Sequence, residues 1–267
     1  MKIDNPFQPG RRAFATSGFT LVELLVCMVI IAVLSAAGLA GFNMAKQKSL
    51  SIASAKNLSQ CVVAIQTYAA EEHHYPEGED QDGSSGGGSW AWQVRENIGG
   101  DTSIDMWPSQ VVLNPRHGSV EKLGIYQRPE DERKKLVHYA VSLVVCPEIS
   151  GQDQGNTGGN RVNLAVRQTD VANPATTILL GDAPLKQPED PASGCSPYWP
   201  SLRAADMEGD PDKPVDENVI KKDVDFWLGD KAQFAFVDGS IRTLKPEEVL
   251  RRFFQLDPDH LQDAPTK

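Results

Sequence analysis

Glu23 has the most unusual setting of any reactive side chain in this sequence. It is the only charged residue in the 23-residue apolar run from Phe19 to Gly41. As a helix, such a run crosses a hydrocarbon core of about 30 Å. A carboxylate placed there costs on the order of 2.5–3.5 kcal/mol on insertion scales unless a partner neutralises it. The sequence therefore predicts a cationic partner for Glu23.

The remaining polar residues give little support for catalysis. Asp182 and Asp238 are a candidate carboxylate pair, but each precedes or occupies a turn, where Asp is favoured for backbone reasons. His73 and His74 are adjacent, so on a helix they point about 100° apart and chelate one metal poorly. The sequence contains no phosphate-binding loop or dinucleotide fingerprint. We predict no catalytic residues and no enzyme.

Two weaker site predictions concern a metal and a disulfide. Asp206, Asp210 and Asp212 lie in an acidic loop, and clustered oxygen ligands suit calcium. Their spacing fits no known calcium loop, and acidic loops are usually just solvated, so both interpretations stay open. No other cofactor is expected. Cys146 and Cys195 would both lie outside the cytoplasm, where a disulfide can persist, and they are the candidate pair.

The N-terminal 17 residues set the direction of insertion. They carry Lys2, Arg11 and Arg12 against the single acid Asp4, and basic residues favour the cytoplasmic side. A secretory signal peptide, cut near the small residues of Ser35–Ala40, is one interpretation, and an uncleaved anchor is another. Neither accounts for Glu23.

A third interpretation comes from Ser17–Leu25, with the sequence SGFTLVELL. It resembles the processing site of type IV prepilins and type II secretion pseudopilins, and it matches at Gly18, Phe19 and Glu23. The resemblance implies that prepilin peptidase cuts between Gly18 and Phe19, that Phe19 becomes N-methylated, and that Glu23 pairs with the N-terminal amine of an adjoining subunit. The implied partners are prepilin peptidase, other pilin or pseudopilin subunits, an inner-membrane assembly platform and membrane lipid.

The elements that must position these residues follow from periodicity. Apolar or small residues recur at helical spacing after the membrane run, which predicts one helix from about Thr20 to Glu72. Beyond Pro76, alternating segments predict a small antiparallel sheet with scattered helices. These elements predict an α+β fold, and the resemblance implies that it is pilin-like. The predicted segments are a leader (1–18), a transmembrane half-helix (19–41), an amphipathic half-helix (42–75), a globular domain (76–256) and a flexible tail (257–267).

Five segments are the candidate strands of that domain, and one short helix follows them. The strands are Leu136–Cys146, Val162–Val166, Thr176–Gly181, Gln233–Val237 and Ser240–Leu244. The last two read as a hairpin with Asp238-Gly239 as a two-residue turn, and Pro246–Phe254 reads as a helix.

The hairpin phrase carries a second resemblance. Phe236–Ile241 is similar to the Asp-Gly segment of a large prepilin-like group in which a His stands ten residues before the Asp. In this chain that position is Leu228, so no role of the His can be carried over.

Charge and topology complete the expectation. The 26 basic and 36 acidic residues give a net charge of −10, which disfavours a nucleic-acid partner. The sequence thus predicts a single-pass inner-membrane subunit with its N-terminus cytoplasmic and its C-terminal domain periplasmic. Such a subunit would assemble into a type IV pilus or type II secretion pseudopilus. The alternative is a singly anchored extracytoplasmic binding protein or enzyme.

Overall fold

The computed structural model describes residues 20–80, 88–98, 114–117, 137–147, 166–189, 195–196, 198–202, 207 and 209–256. The chain divides into two compact units, Met1–Gln47 and Lys48–Lys267. The first helix, α1, is Leu21–Glu72, which confirms the predicted long helix.

In the first unit α1 is apolar, and the side chains that the structure describes there are exposed. The described residues contain one helix that is long and apolar enough to cross a membrane, and it is α1. The large side chains that the structure describes in this part, among them Leu21, Val29 and Leu34, are exposed by about half or more. A helix that is hydrophobic on every side is typical of a membrane span.

In the second unit α1 is amphipathic, and one stripe of it packs on a sheet. The predicted stripe is confirmed, since its central residues are fully buried: Ser54, Leu58, Cys61, Val62, Ile65 and Ala69. Polar bonds add to this packing. Ser54 Oγ lies 3.0 Å from the Tyr139 hydroxyl, and Gln66 Nε2 donates to the Val237 carbonyl at 2.6 Å.

Among the described residues, the main sheet has four antiparallel strands, which lie next to one another in chain order. A separate two-stranded ribbon, β1 (Glu79–Asp80) and β2 (Gly88–Ser89), precedes it, followed by a one-turn helix α2 (Trp90–Gln93). A seven-residue helix α3 (Glu217–Asp223), capped by the Asp216 carboxylate, lies between the second and third strands of the main sheet. The main strands are β3 (Tyr139–Val141), β4 (Ile178–Asp182), β5 (Ala232–Phe236) and β6 (Ile241–Leu244).

This layout confirms the predicted α+β, pilin-like fold, with three local corrections. Phe236 N bonds to the Ser240 carbonyl, so the β5–β6 hairpin closes around a three-residue loop, Val237 to Gly239, rather than a two-residue Asp-Gly turn. Gly239 has φ +88°, while Asp238 keeps a negative φ, and Gly239 N–H bonds to the Phe236 carbonyl. A two-residue type I′ turn needs positive φ at both central residues, whereas a type I turn followed by a left-handed Gly needs it only at the glycine.

The other two corrections concern length. The segment predicted as one C-terminal helix forms two 3₁₀ turns, Pro246–Glu248 and Arg251–Phe254, separated by extended residues at Val249 and Leu250. The predicted first strand is only three residues long, because the chain turns at Ser142, whose carbonyl accepts from the backbone N–H groups of residues 145 and 146. Most of the predicted strand Val162–Val166 and the predicted tail lie outside the described residues.

Candidate processing and assembly site

Glu23 lies in the first turn of α1 and is bonded to the residue that begins the helix. Its Oε2 accepts from Thr20 N at 2.9 Å and from Thr20 Oγ1 at 2.8 Å, while Glu23 N donates back to Thr20 Oγ1 at 3.2 Å. This reciprocal arrangement is a capping box, in which an N-cap Thr and a Glu three residues later satisfy each other's backbone N–H groups. The helix therefore starts where it does because of these two side chains.

The sequence also contains a signal for this capping role, although only a cationic partner was predicted for Glu23. The spacing Thr-x-x-Glu before an apolar run is itself the signal of a capping box. The cap uses only one of the two carboxylate oxygens. Among the described residues, Oε1 of Glu23 has no protein partner, so the carboxylate can hold the helix start and still accept a cation.

The described apolar side chains around this carboxylate are exposed. Leu21 is 81% exposed and Val22 is 69% exposed. Such a surface is stable only in lipid or against apolar partners. Gly18 and Phe19, the predicted cleavage and methylation positions, lie outside the described residues, so both remain predictions.

The second unit, Lys48–Lys267, which we call the globular unit, contains a buried carboxylate, Asp182. This side chain is 1% exposed and accepts three N–H donors. Oδ1 accepts from Asn114 Nδ2 at 3.0 Å, and Oδ2 accepts from Trp227 Nε1 at 2.9 Å and from Gln233 N at 2.8 Å. Burial raises the pKa of Asp182 to about 7 against the lowering effect of the Gln233 and Trp227 donors.

Asp182 and Asp238 do not form the pair considered from the sequence. Asp182 lies beside the start of β5, whereas Asp238 follows its end and accepts from Ser240 N at 2.9 Å. Asp182 has a structural setting, because it ties β4 to β5 and to the Asn114 and Trp227 segments. The described residues thus give no catalytic pairing of these two acids.

The structure describes two of the three candidate calcium ligands. Asp210 Oδ1 accepts from Asp212 N at 3.0 Å, and the Asp212 carboxylate forms an ion pair with Arg252. Asp206 lies outside the described residues. No group of three or more acidic, His or Cys residues that could hold a metal occurs in the described part of the chain. Calcium binding stays a prediction.

The predicted disulfide is not formed in the structure. Cys146 and Cys195 are both buried, free thiols. Cys195 Sγ donates to the Ser196 carbonyl at 3.1 Å, and burial raises the pKa of both thiols. Both therefore behave as small apolar core residues.

A cavity of about 440 Å³ lies in the globular unit near α3. Its walls combine apolar side chains with three polar ones: Met207, Val215, Val219, Ser201, Asp216 and Arg251. The Asp216 carboxylate already accepts from Asn218 N at 2.8 Å as the cap of α3.

One comparison with known proteins identifies the N-terminal segment. A model of the prokaryotic N-terminal methylation motif matches residues 14–39. No curated protein and no solved structure matches the chain. The matched residues contain Gly18, Phe19 and Glu23 and the exposed apolar start of α1, and none of the globular unit. Residues 14–39 therefore carry a prokaryotic N-terminal methylation motif, consistent with the processing site that the sequence resembles.

Proposed function

We propose that this chain is a structural subunit of a type IV pilus or of a type II secretion pseudopilus. Prepilin peptidase cuts between Gly18 and Phe19, Phe19 is N-methylated, and the mature chain stays in the inner membrane through α1. Its N-terminus faces the cytoplasm and its globular unit faces the periplasm. The observation that carries the proposal is the coincidence of the methylation motif with the start of an apolar, uncovered helix.

The geometry at Thr20 supports a specific role for Glu23. Cleavage after Gly18 places a new amine at Phe19, one residue before the Thr20 N–H that already bonds to Glu23. The N-terminus of a helix carries partial positive charge, and the new amine adds a full charge beside it. The free oxygen of Glu23 then binds either this amine or that of an adjoining subunit. Pairing between subunits removes two isolated charges from lipid and fixes one axial register.

Processing is tested by co-expression with active or inactive prepilin peptidase. We expect the wild-type chain to shorten only with the active enzyme, and Gly18→Leu to block the shortening. Gly10→Leu is the matched control, because Gly10 lies in the same leader and should leave processing unchanged. Equal shortening of the Gly18 and Gly10 variants would contradict the proposed cleavage position.

The alternative, a singly anchored binding protein, has one feature in its favour, which is the cavity near α3. It predicts a chain that remains a membrane-bound monomer and whose Arg251→Ala variant loses binding of a small ligand. A processed chain that co-sediments with filaments, with Arg251→Ala behaving like wild type, would favour the structural subunit.

A further inference from the structure

Asn114 is held on the globular unit by one acidic and one imidazole side chain. Its side-chain Nδ2 donates to Asp182 Oδ1 at 3.0 Å, and its backbone N donates to His138 Nδ1 at 3.2 Å. Its side-chain Oδ1 accepts from the backbone N of Arg116 at 3.1 Å. All of this is enclosed, because Asn114 is 3% exposed, His138 1% and Asp182 1%.

The orientation of the Asn114 amide follows from which groups can donate. A carboxylate only accepts and a backbone N–H only donates. Asn114 must therefore turn its NH₂ group toward ionised Asp182 and its oxygen toward Arg116 N–H. For the same reason His138 Nδ1 carries no proton while it accepts from Asn114 N.

Protonation of Asp182 turns one of its two oxygens from an acceptor into a donor, which no longer matches the N–H donor opposite it. Oδ2 accepts from two N–H groups, Trp227 Nε1 and Gln233 N, so a proton there would displace two bonds. Oδ1 accepts from one amide, which can rotate by 180°. The proton therefore belongs on Oδ1, where the acid must donate and needs an acceptor opposite.

We propose that proton uptake by Asp182 turns the Asn114 amide over and frees the backbone N–H of Arg116. After the rotation, the Asn114 oxygen accepts from the acid, and its NH₂ group faces the Arg116 N–H, which loses its bond. The bond from the Arg116 N–H to Asn114, which helps to hold the 3₁₀ turn Pro115–His117, therefore depends on whether Asp182 is protonated. The same turn carries the Arg116 guanidinium, which bonds to Asp225 at 2.6 Å and lies 5.5 Å from the Trp227 ring centroid.

The titratable and charged groups that face Asp182 come from several elements. Arg116 favours its ionised form and Asp225 disfavours it. Among the described residues, Tyr139 lies opposite Asp182 in the β3–β4 register, Cys195 is close enough to Asp182 to interact with it electrostatically, and His138 accepts from the Asn114 N–H next to it. Burial raises the pKa of both Tyr139 and Cys195, so these two stay neutral near pH 7. The pKa of Asp182, raised to about 7 by burial, puts its own titration in the accessible range.

The test is a pH titration of the full chain in detergent micelles with ¹⁵N-labelled arginine, between pH 5 and 8.5. The Arg116 amide is assigned by its loss in Arg116→Lys. We expect its proton to shift upfield as the pH falls. The midpoint should coincide with that of the Asp182 carboxyl carbon, measured on ¹³C-aspartate-labelled protein.

Two variants separate Asp182 from His138. Asp182→Asn imitates the protonated acid and should hold the Arg116 amide at its acid position throughout. His138→Asn keeps an acceptor near the Nδ1 position without titrating, so the Arg116 shift should persist. A pH-independent Arg116 amide in the wild type, a shift that survives Asp182→Asn, or one that disappears in His138→Asn would overturn the proposal. If Asp182→Asn does not fold, the two wild-type midpoints decide, and separate midpoints would refute it.

Discussion

Glu23→Gln separates the two roles that the structure gives to one carboxylate. Glutamine at the third helical position still completes a capping box, so the bonds to Thr20 are kept while the charge is removed. Thr20→Val is the complementary change, because it removes the hydroxyl that accepts from Glu23 N and keeps the charge. We expect Glu23→Gln to insert and to be processed normally but to assemble poorly, and Thr20→Val to assemble nearly as wild type.

Glu23→Gln should weaken assembly far more than Thr20→Val does. Oε2 of Glu23 already lies 2.9 Å from Thr20 N, and the amine of Phe19 begins one residue earlier. Removing one of two paired charges leaves the other unpaired in lipid, which on insertion scales corresponds to a decrease of roughly 100-fold in the association constant. Loss of the Thr20 cap costs about 1 kcal/mol, or about fivefold.

The assay compares filament-bound with membrane-resident subunit in cells that contain the assembly system. Intact mass of each variant checks that processing is equal, and membrane fractionation checks insertion. Wild-type assembly of Glu23→Gln together with loss of assembly in Thr20→Val would refute the reasoning, because the carboxylate would then act only as a helix cap.

Three further predictions concern the stability of the globular unit, each measured by chemical denaturation. Between about pH 4 and 7 the folded chain holds a proton on Asp182 that the unfolded chain has released, so the unfolding free energy should fall as the pH rises through this window. The maximum slope is about 1.4 kcal/mol per pH unit, and Asp182→Asn should flatten it. His73, at the end of α1, has φ 64°, a left-handed conformation that glycine adopts without strain, so His73→Gly should stabilise the chain by about 1 kcal/mol. His74 has a negative φ, so His74→Gly should not stabilise it, and equal effects of the two substitutions would contradict this explanation. A Cβ at Gly181 would lie 2.6 Å from the Gln233 carbonyl oxygen and 3.1 Å from Phe234 Cδ1, so Gly181→Ala should destabilise the fold by about 1–3 kcal/mol. An unchanged denaturation midpoint would contradict this, because β4 and β5 would then move apart at no cost.

The sequence predicted α1 well because its signals are local and repeat over many residues. Apolar residues from Phe19 onward and the stripe through Leu58 and Ile65 both recur at helical spacing, and the structure has one helix there with the stripe buried. The capping role of Glu23 had an equally local signal in Thr20. The strands β4, β5 and β6 were placed within two residues, since each alternates or runs apolar between turn residues.

The setting of Asp182 could not be predicted because it depends on distant pairings. Its donors come from Asn114, Trp227 and Gln233, which are 45 to 68 residues away along the chain. Only the antiparallel register of β4 and β5 brings the Gln233 N–H to this carboxylate. The short 3₁₀ turns after Lys245 had a related difficulty, because a proline and early acids start α and 3₁₀ turns alike.

The central claim is that the mature chain begins at Phe19 and keeps its apolar helix. N-terminal sequencing with intact mass, on protein extracted from membranes of cells with active prepilin peptidase, tests this most directly. We expect an N-methylated Phe19 and a mass lower by the 18-residue leader. A chain that still begins at Met1, or one cut near Ala40, would contradict it.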